Sequence, residues 1–209
     1  MTDGDGFTLL SDDDIYLFNE GTHARLYEKL GSHIVDGPGG GGVVFAVWAP
    51  DAEAVSVVGD FNGWWPGANP LRPRASSGIW EGFVSGIGKG AIYKYHVRSR
   101  FHGYEVEKAD PYAIHAETPP RTGSIVWKID YDWGDGDWMA ARREHAGLRR
   151  PVSIYELHLG SWMRGDDGRM LTYREVAERL PTYVKELGFT HVEFLPVMEH
   201  PFSGRGATR

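Results

Sequence analysis

A chain of 209 residues with 41% hydrophobic side chains can bury one large core or two small ones, and it contains no cysteine. That excludes a disulfide framework, a thiolate metal site and a cysteine nucleophile. A formal charge of −7 without a basic patch argues against a nucleic-acid partner, and no run approaches the roughly 18 apolar residues of a membrane span.

The opening MTDGDGFTLLSDDD is acidic and lacks a basic segment followed by an apolar one, so a cytoplasmic location is expected. Ser11 followed by Asp12, Asp13 and Asp14 reads as a capped helix start, with acids suited to the positive end of the helix dipole. A second helix is expected over residues 23–30, with Leu26, Tyr27 and Leu30 on one face and Gly31 as its C-cap. Residues 1–38 then form a helical preface, and His23, Asp12, Asp13 and Asp14 belong to a solvated surface. Gly37-Pro38 and the glycines at 39–42 carry no core-forming side chains and read as a flexible linker.

Beyond the glycines the period changes. Residues 43–48, 54–58, 79–84, 91–98 and 124–129 are short runs rich in β-branched and aromatic residues, separated by Gly, Pro and Asn clusters. In the fourth run Tyr93, Tyr95 and Val97 alternate with Lys94, His96 and Arg98, as in a half-buried strand. Five such runs predict an antiparallel β-sandwich, immunoglobulin-like and of the early-set type, over residues 39–131. Asn62-Gly63 supplies a tight turn after the second run, and of Trp64 and Trp65 that follow, at least one is expected to be exposed. Aromatic residues make 13% of the chain, more than an average core needs, and aromatic faces suit the C–H faces of sugars.

The order WAPDAEAVSVVGDFNGWW, then GIWEGFVSGIGKGAIYKYHV, then EKADPYA resembles the family 48 carbohydrate-binding modules that precede the catalytic barrel in branching and debranching enzymes of α-glucan metabolism. The resemblance implies an α-1,4-glucan such as glycogen or amylose as partner. In that family the Trp of the Phe-Asn-x-Trp turn and the Lys of the Tyr-Lys-Tyr strand can contact the glucan; these match Trp64 and Lys94. Where the family has a second sugar-stacking Trp, on the hairpin after that strand, this chain has Phe101, His102 and Tyr104. Two roles stay open for the module: direct glucan binding, and scaffolding of a barrel.

Asp130, Asp132, Asp135 and Asp137 lack the order of an EF-hand loop and read as a solvated turn. Residues 132–150 read as a linker, basic and helix-forming towards its end. After Pro151, two apolar runs at 152–159 and 191–197 flank a helix, an order that implies parallel strands joined by a crossover. Thr172 to Glu175 is a capping box ahead of a stripe of Val176, Leu180, Val184 and Leu187; Gly188 closes the helix, and Pro181 is expected to kink or divide it. Pro196 ends the second strand.

YELHLGSW, followed by YVKELGFTHVEFLPVMEHPF, resembles the opening of the catalytic barrel of 1,4-α-glucan branching enzymes, in glycoside hydrolase family 13, and LLSDDDIYLFNEGTHARLYEKLG matches the same family. The resemblance implies an incomplete (β/α)8 barrel over residues 151–209, reduced to its first strand, helix and second strand. It also implies a monomeric full-length enzyme, no cofactor or metal, and transfer of an α-1,4-linked glucan segment to a 6-hydroxyl by a retaining double displacement. The catalytic carboxylates of that family lie on later strands. A barrel takes about 250 residues, so residues 151–209 hold two of its eight units at most. Glu156, Glu193 and Glu199 therefore read as buried hydrogen-bonding or loop-anchoring groups, and His158, His191 and His200 do not converge as zinc ligands. The chain is thus read either as the N-terminal part of a branching enzyme, inactive alone, or as a stand-alone glucan-binding module.

Overall fold

The computed structural model describes residues 8–37, 40–145 and 150–197. The chain divides into two compact units, Met1–Tyr131 and Asp132–Arg209.

In the first unit, helix α1 (Asp12–Asn19) starts from a capping box. Ser11 Oγ accepts from the Asp14 N–H at 3.1 Å, and Asp14 Oδ2 accepts from the Ser11 N–H at 2.8 Å. The helix expected over residues 23–30 shrinks to a single 3-10 turn, Leu26–Glu28. The reason is local: His23 Nδ1 accepts the Arg25 N–H at 3.1 Å, while its Nε2 reaches Asp14 Oδ1 at 2.9 Å, so the chain bends at the start of the segment. Leu10, Leu30, Ala46 and Ile79 then bury together, with Ile15, Phe18, Leu26 and Tyr112 packed against them.

Gly31 does not cap a helix. It opens strand β1 (Gly31–Gly37), which pairs antiparallel with β2 (Gly40–Trp48) and brings Gly37 opposite Gly40. The preface is therefore helical only in its first part, and the glycine run forms a hairpin end within the sheet; residues 38 and 39 lie outside the described residues. Glycine at 42 is a packing requirement, since a Cβ there would stand 2.4 Å from the Val84 carbonyl oxygen and 2.5 Å from the Phe83 ring.

The other strands are β3 (Ala52–Gly59), β4 (Arg72–Pro73), β5 (Ile79–Ser85), β6 (Ile92–Ser99), β7 (Glu105–Lys108) and β8 (Ser124–Ile125). One sheet runs β1-β2-β5-β4; the other runs β3-β6-β7, with β8 also on β6, and every pairing is antiparallel. Val43, Phe45 and Val47 of the first sheet meet Val55, Val57, Tyr93 and Tyr95 of the second in one buried cluster, which makes the unit an antiparallel β-sandwich. The alternation read at 91–98 is correct, with Tyr93 and Tyr95 fully buried.

The polar ends of those tyrosines converge on Asp110, 6% exposed. Tyr93 donates to Asp110 Oδ2 at 2.5 Å and Tyr95 at 3.2 Å, Asp110 Oδ1 accepts the Tyr112 N–H at 2.8 Å, and the Asp110 N–H reaches Ser124 Oγ at 2.8 Å. Burial raises the Asp110 carboxyl pKa, opposed by the hydrogen bonds from Tyr93, the Tyr112 backbone and Tyr95. A satisfied network of this kind fixes the path of residues 110–126 across the sheet.

In the second unit, α2 (Gly136–His145) occupies much of the segment read as linker. Strand β9 (Ile154–Leu157) runs parallel to β10 (His191–Phe194), and between them come the short α3 (Leu159–Trp162) and α4 (Tyr173–Glu186). The first apolar run thus turns helical at Leu159 instead of extending as strand. Thr172 and Glu175 form the expected capping box, and Val176, Leu180 and Val184 bury against Leu157, Leu159 and Leu171. Leu187, read as the end of that stripe, is 54% exposed. Gly188, at φ +78°, ends the helix, its N–H bonded to the Lys185 carbonyl at 3.1 Å.

Pro181 does not divide α4. Both Pro181 and Ala177, whose carbonyl loses its helical donor, lie on the exposed face, where water can take the missing bond.

Candidate functional site

The loop that follows β3 begins with a 3-10 turn, Asp60–Asn62, which lies against both β3 and β6. On its side away from β6, β3 pairs with no other named strand among the described residues; it meets the loop through a single bridge between Ser56 and Pro70. The Val57 N–H donates instead to the Asn69 carbonyl at 2.9 Å, and the Leu71 N–H donates to the Val55 carbonyl at 2.8 Å. The Asn62 side chain completes this edge. Its Oδ1 accepts the Gly59 N–H at 3.0 Å, while Nδ2 donates to the Val57 carbonyl at 2.9 Å and to Asn69 Oδ1 at 2.8 Å. Asn62 is therefore a latch between strand and loop. The Asn-Gly turn was legible in sequence; the latch was not, because its partners are named only by the fold.

Trp64 sits in the left-handed region at φ 60°, unusual for a bulky side chain. Its N–H donates to the Gly59 carbonyl at 3.0 Å and its indole Nε1–H to Asp60 Oδ1 at 2.9 Å, and the side chain is half-buried. Trp65 is 65% exposed, which meets the expectation that one of the pair faces solvent. Lys94 lies opposite Val58 on β6, on the face away from Tyr93 and Tyr95, and is half-buried. Gly59, which holds the Trp64 backbone, pairs with Tyr93, so Trp64 and Lys94 belong to the same end of the β3–β6 ladder. On the β6–β7 hairpin Phe101 and Tyr104 are 56% and 60% exposed, with His102 in the left-handed region at φ 57°.

The other candidates fall elsewhere. His23 and Asp14 are not solvated: their side chains are 6% and 13% exposed, and Lys29 Nζ also reaches Asp14 Oδ2 at 2.9 Å. Although burial raises the Asp14 pKa, hydrogen bonds from Lys29, the Ser11 backbone, His23 and the Ser11 hydroxyl outweigh it and hold the carboxyl well below the usual range. Glu156 and Glu193, expected to be buried, are exposed: they are register partners on the face of β9 and β10 opposite the one that carries Tyr155, Leu157 and Val192 into the core. His158 Nδ1 lies 3.0 Å from Ser161 Oγ at the start of α3, and His191 Nδ1 lies 2.8 Å from Thr190 Oγ1. Among the described residues no three His, Asp or Glu side chains gather as metal ligands. Glu199 and His200 lie outside the described residues. No helix among the described residues is long and apolar enough to cross a membrane.

Residues 29–113 match the profile of Carbohydrate-binding module 48 (Isoamylase N-terminal domain). Over 201 residues the chain is 53% identical to the 1,4-alpha-glucan branching enzyme GlgB of Aquifex aeolicus, covering 95% of this chain and 32% of that one. Over 195 residues it is 55% identical to the enzyme of the same name from Albidiferax ferrireducens, covering 93% and 31%. The chain is homologous to the N-terminal region of the 1,4-alpha-glucan branching enzymes. It spans about a third of the length of these curated relatives.

Solved structures share the fold at lower identity. The catalytic module of the glycogen-degrading pneumococcal virulence factor SpuA, in complex with an inhibitor, aligns with a TM-score of 0.60 at 24% identity, over 90% of this chain and 29% of that one. The Klebsiella pneumoniae pullulanase complexed with maltotriose aligns with a TM-score of 0.57 at 24% identity, over 82% and 18%. The profile match begins at residue 29 and so takes in β1, which lies within the residues 1–38 expected as a helical preface.

Proposed function

We propose that this chain is the glucan-engaging N-terminal region of a 1,4-alpha-glucan branching enzyme, and that the whole protein moves an α-1,4-linked glucan segment to a 6-hydroxyl to create an α-1,6 branch. The observation that carries the reading is identity of 53% and 55% to enzymes of that name over nearly all of this chain. Trp64 and Lys94, at one end of the β3–β6 ladder, are the residues we assign to glucan contact. The sandwich is immunoglobulin-like and of the early-set type, and β9, α4 and β10 are the first strand, helix and second strand of a (β/α)8 barrel. The parallel pairing of β9 with β10 supports this, as does the open face that carries Ile154, 52% exposed, opposite the face packed on α4. Barrel strands are covered on both faces. The protein works in the cytoplasm as a monomer, without nucleic-acid, membrane, metal or cofactor requirements.

Retaining transfer needs two carboxyls about 5–5.5 Å apart, one as nucleophile and one as acid and base. Glu156 and Glu193 stand side by side, but both open to solvent, and among the described residues no third His, Asp or Glu gathers with them as a metal-holding group; we assign them no catalytic role. The 209-residue polypeptide incubated with amylose therefore leaves the iodine absorbance unchanged and forms no α-1,6 linkages. A clear fall in that absorbance would overturn this. The sandwich closes its own core, which favours, as a second reading, a module that binds glucan without an enzyme attached. In glycogen affinity electrophoresis the chain is retarded, and Trp64→Ala or Lys94→Ala reduces the retardation; unretarded wild type would remove the glucan-contact assignment and, with it, the second reading.

A further inference from the structure

A side chain that stacks on a sugar needs an open ring face and a mount that does not have to be ordered on binding. Trp64 has a fixed mount and is partly open: its indole N–H is taken by Asp60 at 2.9 Å, and the residue is half-buried. Its neighbour is the more open of the two. Trp65 is 65% exposed. Its N–H donates to the Asn62 carbonyl at 3.3 Å and its own carbonyl accepts the Ala68 N–H at 3.2 Å, so the main chain is held on both sides. Its ring rests on the backbone of Gly67, where a Cβ would stand only 2.6 Å from the ring edge. The loop beneath is latched to β3 through Asn62.

We propose that Trp65 is a glucan-stacking residue of this module, beside the Trp64 contact assigned above, and that the bond from Trp64 to Asp60 fixes the turn that holds Trp65 out, Asp60 being a positioning residue. The proposal rests on the glucan reading above and adds a contact which the matched pattern does not assign. The ligand is an α-1,4-glucan, whose pyranose C–H faces pack on the open indole face. Glycine at 67 is part of the device, since any side chain there would displace the ring.

The test uses the full chain with glycogen in affinity gels and with maltoheptaose in solution. Trp65→Ala weakens glycogen binding about tenfold, the factor expected when one large buried side chain is lost, and Trp65→Phe restores most of it. Gly67→Val weakens binding as well. Retarded wild type with an equally retarded Trp65→Ala variant overturns the proposal and leaves the glucan reading standing. Unretarded wild type overturns both. Oxidation by N-bromosuccinimide, mapped by mass spectrometry on the unsubstituted protein, decides independently of how any variant folds. Maltoheptaose protects Trp65 while leaving Trp133 and Trp138, 70% and 57% exposed, as reactive as before. Equal oxidation of Trp65 with and without the sugar, in protein that binds glycogen, overturns the proposal.

Discussion

Replacing Asn62 with alanine removes three hydrogen bonds at once and tests the logic of the loop. Two of the groups left behind, the Gly59 N–H and the Val57 carbonyl, belong to buried residues on the side of β3 away from β6. An unsatisfied buried backbone group costs about 1–3 kcal/mol, and partial entry of water lowers the sum. The expected loss is about 3 kcal/mol, or about 10 °C in the melting temperature of a unit of this size. Near-ultraviolet circular dichroism follows the melt, and hydrogen exchange at residues 52–59 gives the local check, with faster exchange expected at Gly59. Asn62→Asp keeps the acceptor for the Gly59 N–H but cannot donate to Val57 or Asn69, so it recovers only part of the loss. If Asn62→Ala melts within about 2 °C of wild type and exchange at Gly59 is unchanged, the latch is dispensable. The main-chain bonds from Val57 to Asn69 and from Leu71 to Val55 would then suffice to hold the loop.

Gly42→Ala places a methyl group 2.4 Å from the Val84 carbonyl oxygen and destabilises the sandwich by about 1–3 kcal/mol, whereas Gly88→Ala, with nothing within 4 Å, is near neutral; equal melting of the two variants would refute the packing argument. The Asp14 pKa is depressed in the folded state, so the stability it adds is fully present above the unfolded value of about 3.9 and is lost as pH falls through the folded value. Asp14→Asn therefore melts below wild type at pH 7, and the gap narrows below about pH 4; a gap that stays constant to about pH 2 would contradict this. Amides of residues 154–157 and 191–194, in a sheet of two strands, exchange faster than those of 43–48 and 92–98, which lie between strands on both sides; equal protection would show that the pair is covered.

The strands that sequence revealed are those whose side chains alternate between core and solvent, or that bury both faces: β2, β3, β5 and β6; of the fifth run, 124–129, only Ser124–Ile125 is strand, as β8. Those it missed had no such signal. β1 carries Ser32, His33 and Asp36 among its residues and begins at a glycine that reads equally well as a helix C-cap. β4 is two residues long, and β7, with Glu105, Glu107 and Lys108, is polar on an outer strand. Helix starts were legible because a capping box is local: Ser11 with Asp14 and Thr172 with Glu175 need no distant partner. The Asp14 to His23 pair spans a turn whose geometry the periodicity of 23–30 misstates, so two side chains that looked solvated prove largely buried and paired.

The loop after β3 shows the same division within a single stretch of six residues. Its residue types were conspicuous, and the turn at Asn62-Gly63 followed from backbone preference alone. Which tryptophan is held and which is offered depends on an acceptor, Asp60, four residues before Trp64, and on a glycine, Gly67, two residues after Trp65. Neither has a periodic signature. A left-handed Trp64 is costly in isolation, by about 1–3 kcal/mol, and is kept only where surrounding bonds over-determine it. Here the Gly59 carbonyl, the Asp60 carboxylate and the Asn62 latch do so. Strain of this kind is found where a side chain must be aimed, and the side chain aimed outward by this loop is that of Trp65.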